Sequence, residues 1–329
     1  MERDHHINLF RRVLEEQGAA ALIETWRRIS KEHRPEAIEM LNDPDLPFPA
    51  LYVLKEEVEK TCEEAELDLK NRLAFCHIDA TIKGESIFFP TKVDLYDQQQ
   101  HTLTCLRWMV FTGGQTIVDA AYLKVIDHAC THLLMHDNDD RLRDIIEIIF
   151  YRHRVKAERH YLLWAFYEAA DPRSLHYVAS FLNSNDETDN RLAKKMLRFI
   201  PGVAGAASQS EARDRVAAWL EVNGDFLWYT GETNDANPYP IPFIVLLPAK
   251  YLGQPVEHRT GQPLRRLLEP ELERWREFET LPYDIQHRLA DASCQMRYLN
   301  FEKWREWMNT PVQSQVTAIT GRGFGYDYR

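Results

Sequence analysis

Three histidines stand at four-residue intervals near the middle of the chain, at His128, His132 and His136, and Asp137 follows them directly. We call these three histidines the histidine row. Two imidazoles one helical turn apart can hold a zinc ion between them. All three cannot readily share one ion, because positions 128 and 136 lie roughly 12 Å apart along a helix axis. The row therefore predicts either a metal site that uses His132, His136 and Asp137, or a half-buried flank of a helix.

The dipeptide His136-Asp137 resembles the histidine-aspartate pair of metal-dependent HD phosphohydrolases. That family also has a histidine well upstream and an aspartate well downstream, and His101 and Asp171 match in chain order. The resemblance implies a phosphohydrolase that uses the histidine row and Asp137, and this is the alternative function. Elsewhere the sequence shows no nucleophile elbow and no phosphate-binding loop, so it predicts no catalytic residue and no cofactor.

Basic residues gather at two places in the second quarter and the middle of the chain. One group surrounds a predicted turn and the other lies on a later helix: Arg152, Arg154, Lys156 and Arg159, then Lys194, Lys195 and Arg198. In a stack of helices the two groups would form a basic ridge, which attracts phosphate or the acidic surface of a protein. Separate solvated helix faces are the alternative. The formal net charge of -11 makes nucleic acid an unfavoured partner.

Aromatic residues alternate with charged ones at the end of the sequence, where Phe324, Tyr326 and Tyr328 stand among arginines and an aspartate. An aromatic terminus can dock in the groove of a partner or along a sheet edge. A dispensable tail is the alternative. These three residues therefore join the basic residues as candidates for binding a partner protein.

Two similar helix pairs run back to back between Asp139 and Pro201. Their first helices have apolar residues at matching positions, which are Leu142, Ile145, Ile146 and Ile149 against Leu175, Val178, Ala179 and Leu182. The second pair resembles a HEAT repeat in its helix start, turn and second helix, at Asp171-Pro172, Ser184-Asn185-Asp186 and Asn190-Arg191-Leu192-Ala193. The resemblance implies an α-solenoid that presents its surface to a partner. Because such stacks need about three repeats, the predicted helices from 94 to 135 count as a looser further unit.

The sequence divides into four regions. They are an N-terminal helical region at 1–93 with a possible hairpin at 77–89, a helical-repeat stack at 94–201, a C-terminal helical region at 202–309 with a Pro-rich extended segment at 223–263, and a flexible tail at 310–329. The hairpin is predicted from alternating apolar and polar residues around Lys83-Gly84. Prolines exclude a long helix from the Pro-rich segment. The expected fold is all-α and solenoid-like.

Composition completes the prediction. Apolar residues make up 44% of the chain, which is enough for a large core, and no apolar run approaches the length of a membrane span. Five cysteines stand far apart without a Cys-x-x-Cys pair, a pattern that suits reduced thiols. We therefore expect a soluble, cytoplasmic, non-enzymatic scaffold or adaptor that binds a partner protein through the surface of its helical stack. The oligomeric state is left open.

Overall fold

The structure, a computed structural model, describes residues 8–85, 95–136, 141–232 and 240–321. Within these ranges the chain folds into seventeen α-helices and one two-stranded antiparallel sheet. The all-α prediction is confirmed, whereas the solenoid arrangement stays a prediction. None of the helices in these ranges has both the length and the apolar character that crossing a bilayer requires.

The chain divides into two compact units, Met1–Phe166 and Tyr167–Arg329. The division falls near the end of the first of the two helix pairs that the sequence predicts to be consecutive repeats. Most of the first pair therefore belongs to the first unit, and the second pair belongs to the second unit. Each unit has its own core.

The first unit is a bundle of helices. They are α1 (Leu9–Gln17), α2 (Ala19–Glu32), α3 (Arg34–Leu41), α4 (Phe48–Thr61), α5 (Leu69–Lys83), α6 (Leu95–Gly113), α7 (Ala120–His136), α8 (Arg141–Arg154) and most of α9 (His160–Glu168). Helix α2 packs against α1, α3 and α4, while α6 packs against α4, α5 and α7. Helix α5 also contacts α7 directly, which places side chains of these two distant segments together.

Aromatic side chains form much of the core of the first unit. The ring centroids of Phe10 and Trp26 lie 5.8 Å apart, and those of Phe48 and Tyr122 lie 5.5 Å apart. All four side chains are fully buried. The Tyr122 hydroxyl donates a hydrogen bond of 2.8 Å to the carbonyl of Gly113, at the end of α6. A Cβ atom at Gly113 would clash with that hydroxyl, so this close approach requires glycine.

The predicted hairpin at 77–89 is wrong over its first seven residues, because α5 continues to Lys83. Leu73, His77 and Ile78 lie on the buried face of this helix, so the spacing that resembled strand alternation belongs to a helix. Gly84 adopts a left-handed conformation with φ of 68° and ends α5, as glycine commonly does at a helix C-terminus. Residues 86–89 of the predicted hairpin lie outside the described residues.

The second unit begins in α9 and contains the remaining elements. They are α10 (Arg173–Ser180), α11 (Glu187–Met196), α12 (Gln209–Asn223), β1 (Leu227–Tyr229), β2 (Phe243–Val245), α13 (Leu247–Leu252), α14 (Glu269–Glu279), α15 (Tyr283–Leu299), α16 (Phe301–Met308) and α17 (Val312–Gly321). Strands β1 and β2 pair with Trp228 opposite Ile244. The Pro-rich segment is thus not extended throughout, since it contains the helix α13 in addition to the two strands.

The short helix α13 lies at the centre of the second unit. Every residue from Leu247 to Leu252 is buried, and the helix packs against α14 and α15. The ring of Tyr251 stacks on that of Phe278 with centroids 4.7 Å apart, and its hydroxyl donates a hydrogen bond of 2.7 Å to Oε1 of Gln315. Gln315 belongs to α17, so a flexible tail from residue 310 onward is wrong for 312–321. Residues 322–329 lie outside the described residues.

Candidate functional site

Three large apolar side chains are exposed together where α15 meets α16. Tyr298 is 83% exposed, Leu299 is 71% exposed and Phe301 is 53% exposed. We call these three residues the α15–α16 corner. Single exposed apolar residues are normal on a protein surface, whereas a large contiguous apolar patch is typical of a site of interaction.

Asn300 fixes the backbone of this corner, because it caps both helices. Its N–H donates to the carbonyl of Met296 at 2.8 Å and completes the end of α15. Its side-chain Oδ1 accepts from the N–H of Lys303 at 3.0 Å and opens α16. An asparagine at this position satisfies a backbone N–H that the first turn of a helix leaves without a partner. The exposed side chains therefore stand on a turn with defined geometry.

Trp304 anchors the corner to the core of the second unit. Its indole N–H donates to the hydroxyl of Ser293 at 2.9 Å, and Ser293 donates to the carbonyl of Tyr251 at 2.5 Å. The ring of Phe301 stacks on Trp304 with centroids 5.4 Å apart. The corner is thus connected to α13 through two hydrogen bonds and one aromatic contact, which limits the freedom of Phe301 before any partner binds.

On the α16 side, the flank of the corner has no excess of either charge. Helix α16 has two acidic and two basic residues, Glu302, Glu306, Lys303 and Arg305. A guanidinium nitrogen of Arg305 lies 3.8 Å from a carboxylate oxygen of Glu302. An apolar centre with a mixed polar rim is the usual composition of a transient protein interface.

One residue of the basic ridge that the sequence predicts is buried in the interior of the first unit. Arg152 is 1% exposed and makes an ion pair with Asp127 of α7. Its guanidinium also donates to the carbonyls of Leu123 and Glu158, each at 3.4 Å. Burial raises the pKa of the Asp127 carboxyl to about 6 against the lowering effect of Arg152, so the carboxylate is still ionised at neutral pH. Arg152 therefore serves the core and is not available to a partner.

The other predicted basic residues have ordinary surface positions. Arg154, Lys156 and Lys195 are exposed, and Arg159, Lys194 and Arg198 are partly exposed. The group at 152–159 belongs to the first unit and the group at 194–198 to the second. Their meeting in one ridge stays a prediction. The aromatic candidates Phe324, Tyr326 and Tyr328 lie outside the described residues.

The histidine row lies along α7 with increasing exposure toward the end of the helix. His128 and His132 are partly buried, His136 is exposed, and the ring centroids of His132 and His136 lie 4.6 Å apart. Burial, and next the proximity of His136, lowers the pKa of His132 to about 4. Asp137 lies outside the described residues.

The ligand set of the HD alternative is not assembled in the described ranges. His101 is exposed on α6, and Asp171 makes an ion pair with Arg173. Across these ranges no three His, Cys, Asp or Glu side chains converge in a way that would hold a metal ion.

A fourth histidine, which the sequence analysis did not single out, packs against the histidine row. His77 of α5 is 1% exposed, and its ring centroid lies 5.0 Å from that of His128. Burial, and next the nearby His128, lowers the pKa of His77 to about 3. The helical spacing of Leu73, His77 and Ile78 was the signal that could have placed it on a buried face.

Comparison with protein-family models, with curated proteins and with solved structures found no match to this chain. The resemblances to HEAT repeats and to HD phosphohydrolases therefore stay predictions from short motifs.

Proposed function

We propose that this chain is a non-enzymatic interaction protein, a scaffold or adaptor, that binds a partner protein through the α15–α16 corner. The observation that supports this function is the joint exposure of Tyr298, Leu299 and Phe301 on a turn fixed by Asn300. Leaving three large apolar side chains in water is unfavourable unless a partner covers them.

The corner is well suited to serve as an anchor. Interface hot spots are enriched in large aromatic side chains that enter a pocket of the partner and lose all contact with water. Because Asn300 and Trp304 already hold the corner, binding orders few additional groups, and less of the binding free energy is lost to ordering. The surface of the predicted helical stack, including the basic ridge, remains a second candidate contact.

The chemistry of the corner selects the partner. Since the charges on α16 balance, the occupant is a different protein that presents an apolar pocket with a polar rim of no net charge. A second copy of this chain is disfavoured because each copy has a formal net charge of -11. An acidic partner was expected from the basic ridge, and the burial of Arg152 weakens that expectation.

A triple substitution, Tyr298→Ser, Leu299→Ser and Phe301→Ser, tests the proposal in affinity capture from native extract. Each buried hot spot contributes at least about 2 kcal/mol, so the partner that wild type retains should be lost from the triple variant. The matched control is Phe111→Ser, which removes a side chain that is 80% exposed on α6.

Two results would contradict the proposal. One is retention of the same partner by the folded triple variant, and the other is equal loss from the Phe111→Ser control. Salt separates the two candidate contacts, because an apolar contact persists from low to high salt whereas a contact through the basic ridge is screened.

A further inference from the structure

Two imidazole rings meet at the contact between α5 and α7, where their buried nitrogens lack hydrogen-bond partners among the described residues. These nitrogens are Nδ1 and Nε2 of His77 and Nδ1 of His128. His77 is 1% exposed, and its ring lies against that of His128 with centroids 5.0 Å apart. A neutral imidazole has one N–H to satisfy, whereas an imidazolium has two and also carries a positive charge. The packing therefore suits the neutral form of both rings and not the charged form.

The side chains that face His77 offer it no counter-charge. After burial, which has the largest effect, the nearby groups that lower the pKa of His77 are His128 and then His132, both on α7. For His128, burial alone lowers the pKa. Helix α6 packs against both α5 and α7, yet among the described residues it places no charged group that shifts the pKa of either histidine. A proton on His77 would thus be added beside other imidazoles and not beside a carboxylate.

The carboxylates nearest to the two histidines in sequence are already engaged elsewhere. Asp127 of α7 pairs with Arg152 of α8, which packs against α7. Asp79 follows His77 by two residues and therefore lies on the opposite side of α5. There Nζ of Lys55, on α4, lies 2.7 Å from its carboxylate. Neither carboxylate can stabilise an imidazolium between α5 and α7.

Acidification favours separation of the two helices. Burial, and next the neighbouring His128, lowers the pKa of His77 to about 3, whereas a histidine in an unfolded chain has a pKa of about 6.5. Once α5 leaves α7, the two imidazoles therefore bind more protons than they do in the closed contact. They leave the closed contact unaffected above pH 6.5 and destabilise it progressively as the pH falls from 6.5 toward 3.

We propose that the contact between α5 and α7 is a pH-sensitive switch, in which protonation of His77 and His128 in acidic solution separates the two helices. Two positive charges side by side in a buried contact repel each other and lose their hydration. The start of α5 does not depend on this contact, because Nδ2 of Asn71 donates to the carbonyl of Leu41, at the end of α3, at 2.8 Å. The switch is built into the first unit and does not rest on the interaction function proposed above.

Urea denaturation of the full chain between pH 7.5 and pH 5 tests the switch through its pH dependence. Each histidine that stays neutral in the folded protein raises the unfolding equilibrium constant about tenfold for every pH unit below 6.5. His77→Gln removes one such group, so the rise with acidity should be smaller than in wild type by that factor. His128→Gln should have a smaller effect, because His128 is partly exposed. The matched control His101→Gln removes an exposed imidazole of α6 and should keep the wild-type rise.

Hydrogen exchange of wild type separates a local switch from general acid unfolding, and it decides the matter if His77→Gln does not fold. Labelling times are corrected for the effect of pH on chemical exchange. Between pH 7.5 and pH 5 the amides of α5 should lose at least about tenfold more protection than those of α2. Equal loss in α5 and α2 would overturn the proposal, and so would an equal rise of the unfolding constant in wild type and His77→Gln.

Discussion

Arg152 and Asp127 place two opposite charges in the interior of the first unit, where each depends on the other. A buried charge that loses its partner keeps its desolvation cost and loses the compensating attraction. On the sequence alone Arg152 was grouped with its exposed neighbours, because a basic residue in the last turn of a helix is normally solvated. Only the packing of α8 near α7 shows that it faces inward.

Asp127→Ala should therefore reduce the free energy of unfolding by about 3–5 kcal/mol, measured by urea denaturation. The control is Glu15→Ala, which removes the exposed Arg11–Glu15 pair of α1 and should cost less than about 1 kcal/mol. Equal effects of the two substitutions would show that Arg152 is not held in the interior.

A surface ion pair gives a second prediction at the residue scale, through its dependence on pH. Arg27 of α2 donates two hydrogen bonds of 2.9 Å to the carboxylate of Glu57 on α4, and Lys60 adds a third contact. The bonds from Arg27, and next that from Lys60, lower the pKa of Glu57 from 4.5 to about 2. The stabilisation from this carboxylate is thus present above pH 4.5 and is lost as the pH falls toward 2.

Arg27→Ala should for this reason be less stable than wild type above pH 4.5, and the difference should shrink between pH 4.5 and pH 2. Chemical denaturation at several pH values measures it, with the exposed Arg12→Ala as control. A difference that does not change with pH would mean that Arg27 acts by packing and not through the Glu57 carboxylate.

At the scale of elements, α17 shows how tertiary contacts create a helix that the sequence hides. Its buried positions are only Val312, Gln315 and Ile319, so the apolar stripe is narrow and includes a polar residue. Gln315 is tolerated because its amide donates to the carbonyls of Trp307 and Thr310 and its oxygen accepts from Tyr251. None of these partners can be identified from a local pattern.

Ile319→Ala tests whether α17 belongs to the core of the second unit. Ile319 is 5% exposed, and truncation of a buried isoleucine typically costs about 2–5 kcal/mol. Gln313→Ala, at an exposed position of the same helix, should change the stability by no more than about 0.5 kcal/mol. If urea denaturation finds no loss of stability for Ile319→Ala, residues 312–321 belong to the flexible tail that the sequence predicts.

Sequence reasoning succeeded with elements wherever an apolar stripe was long. It predicted the helices between 94 and 135, because α6 and α7 each have several buried positions at helical spacing. It failed at α5, where buried polar His77 interrupts the stripe. The α15–α16 corner was also missed, since exposure of Tyr298 or Phe301 follows from what neighbouring helices leave uncovered and not from residue type.

At the scale of the whole molecule, the division at Phe166 separates helix pairs that look alike in sequence. Sequence similarity between helix pairs shows that each helix has one apolar face to bury. It does not determine which neighbouring helices cover that face. The helical spacing of apolar residues was informative at this scale, because it predicted the all-α class. Composition could not locate a contact surface, since the net charge of -11 is a sum over the whole chain.

Site-specific photocrosslinking in the native cell tests the central claim most directly. A photoreactive phenylalanine is placed at position 298 or 301 and, as a matched control, at position 111 of α6. The interaction function predicts one adduct of the same mass from both corner positions and none from position 111. Absence of an adduct at the corner, the same adducts at all three positions, or an adduct with twice the mass of this chain would contradict it.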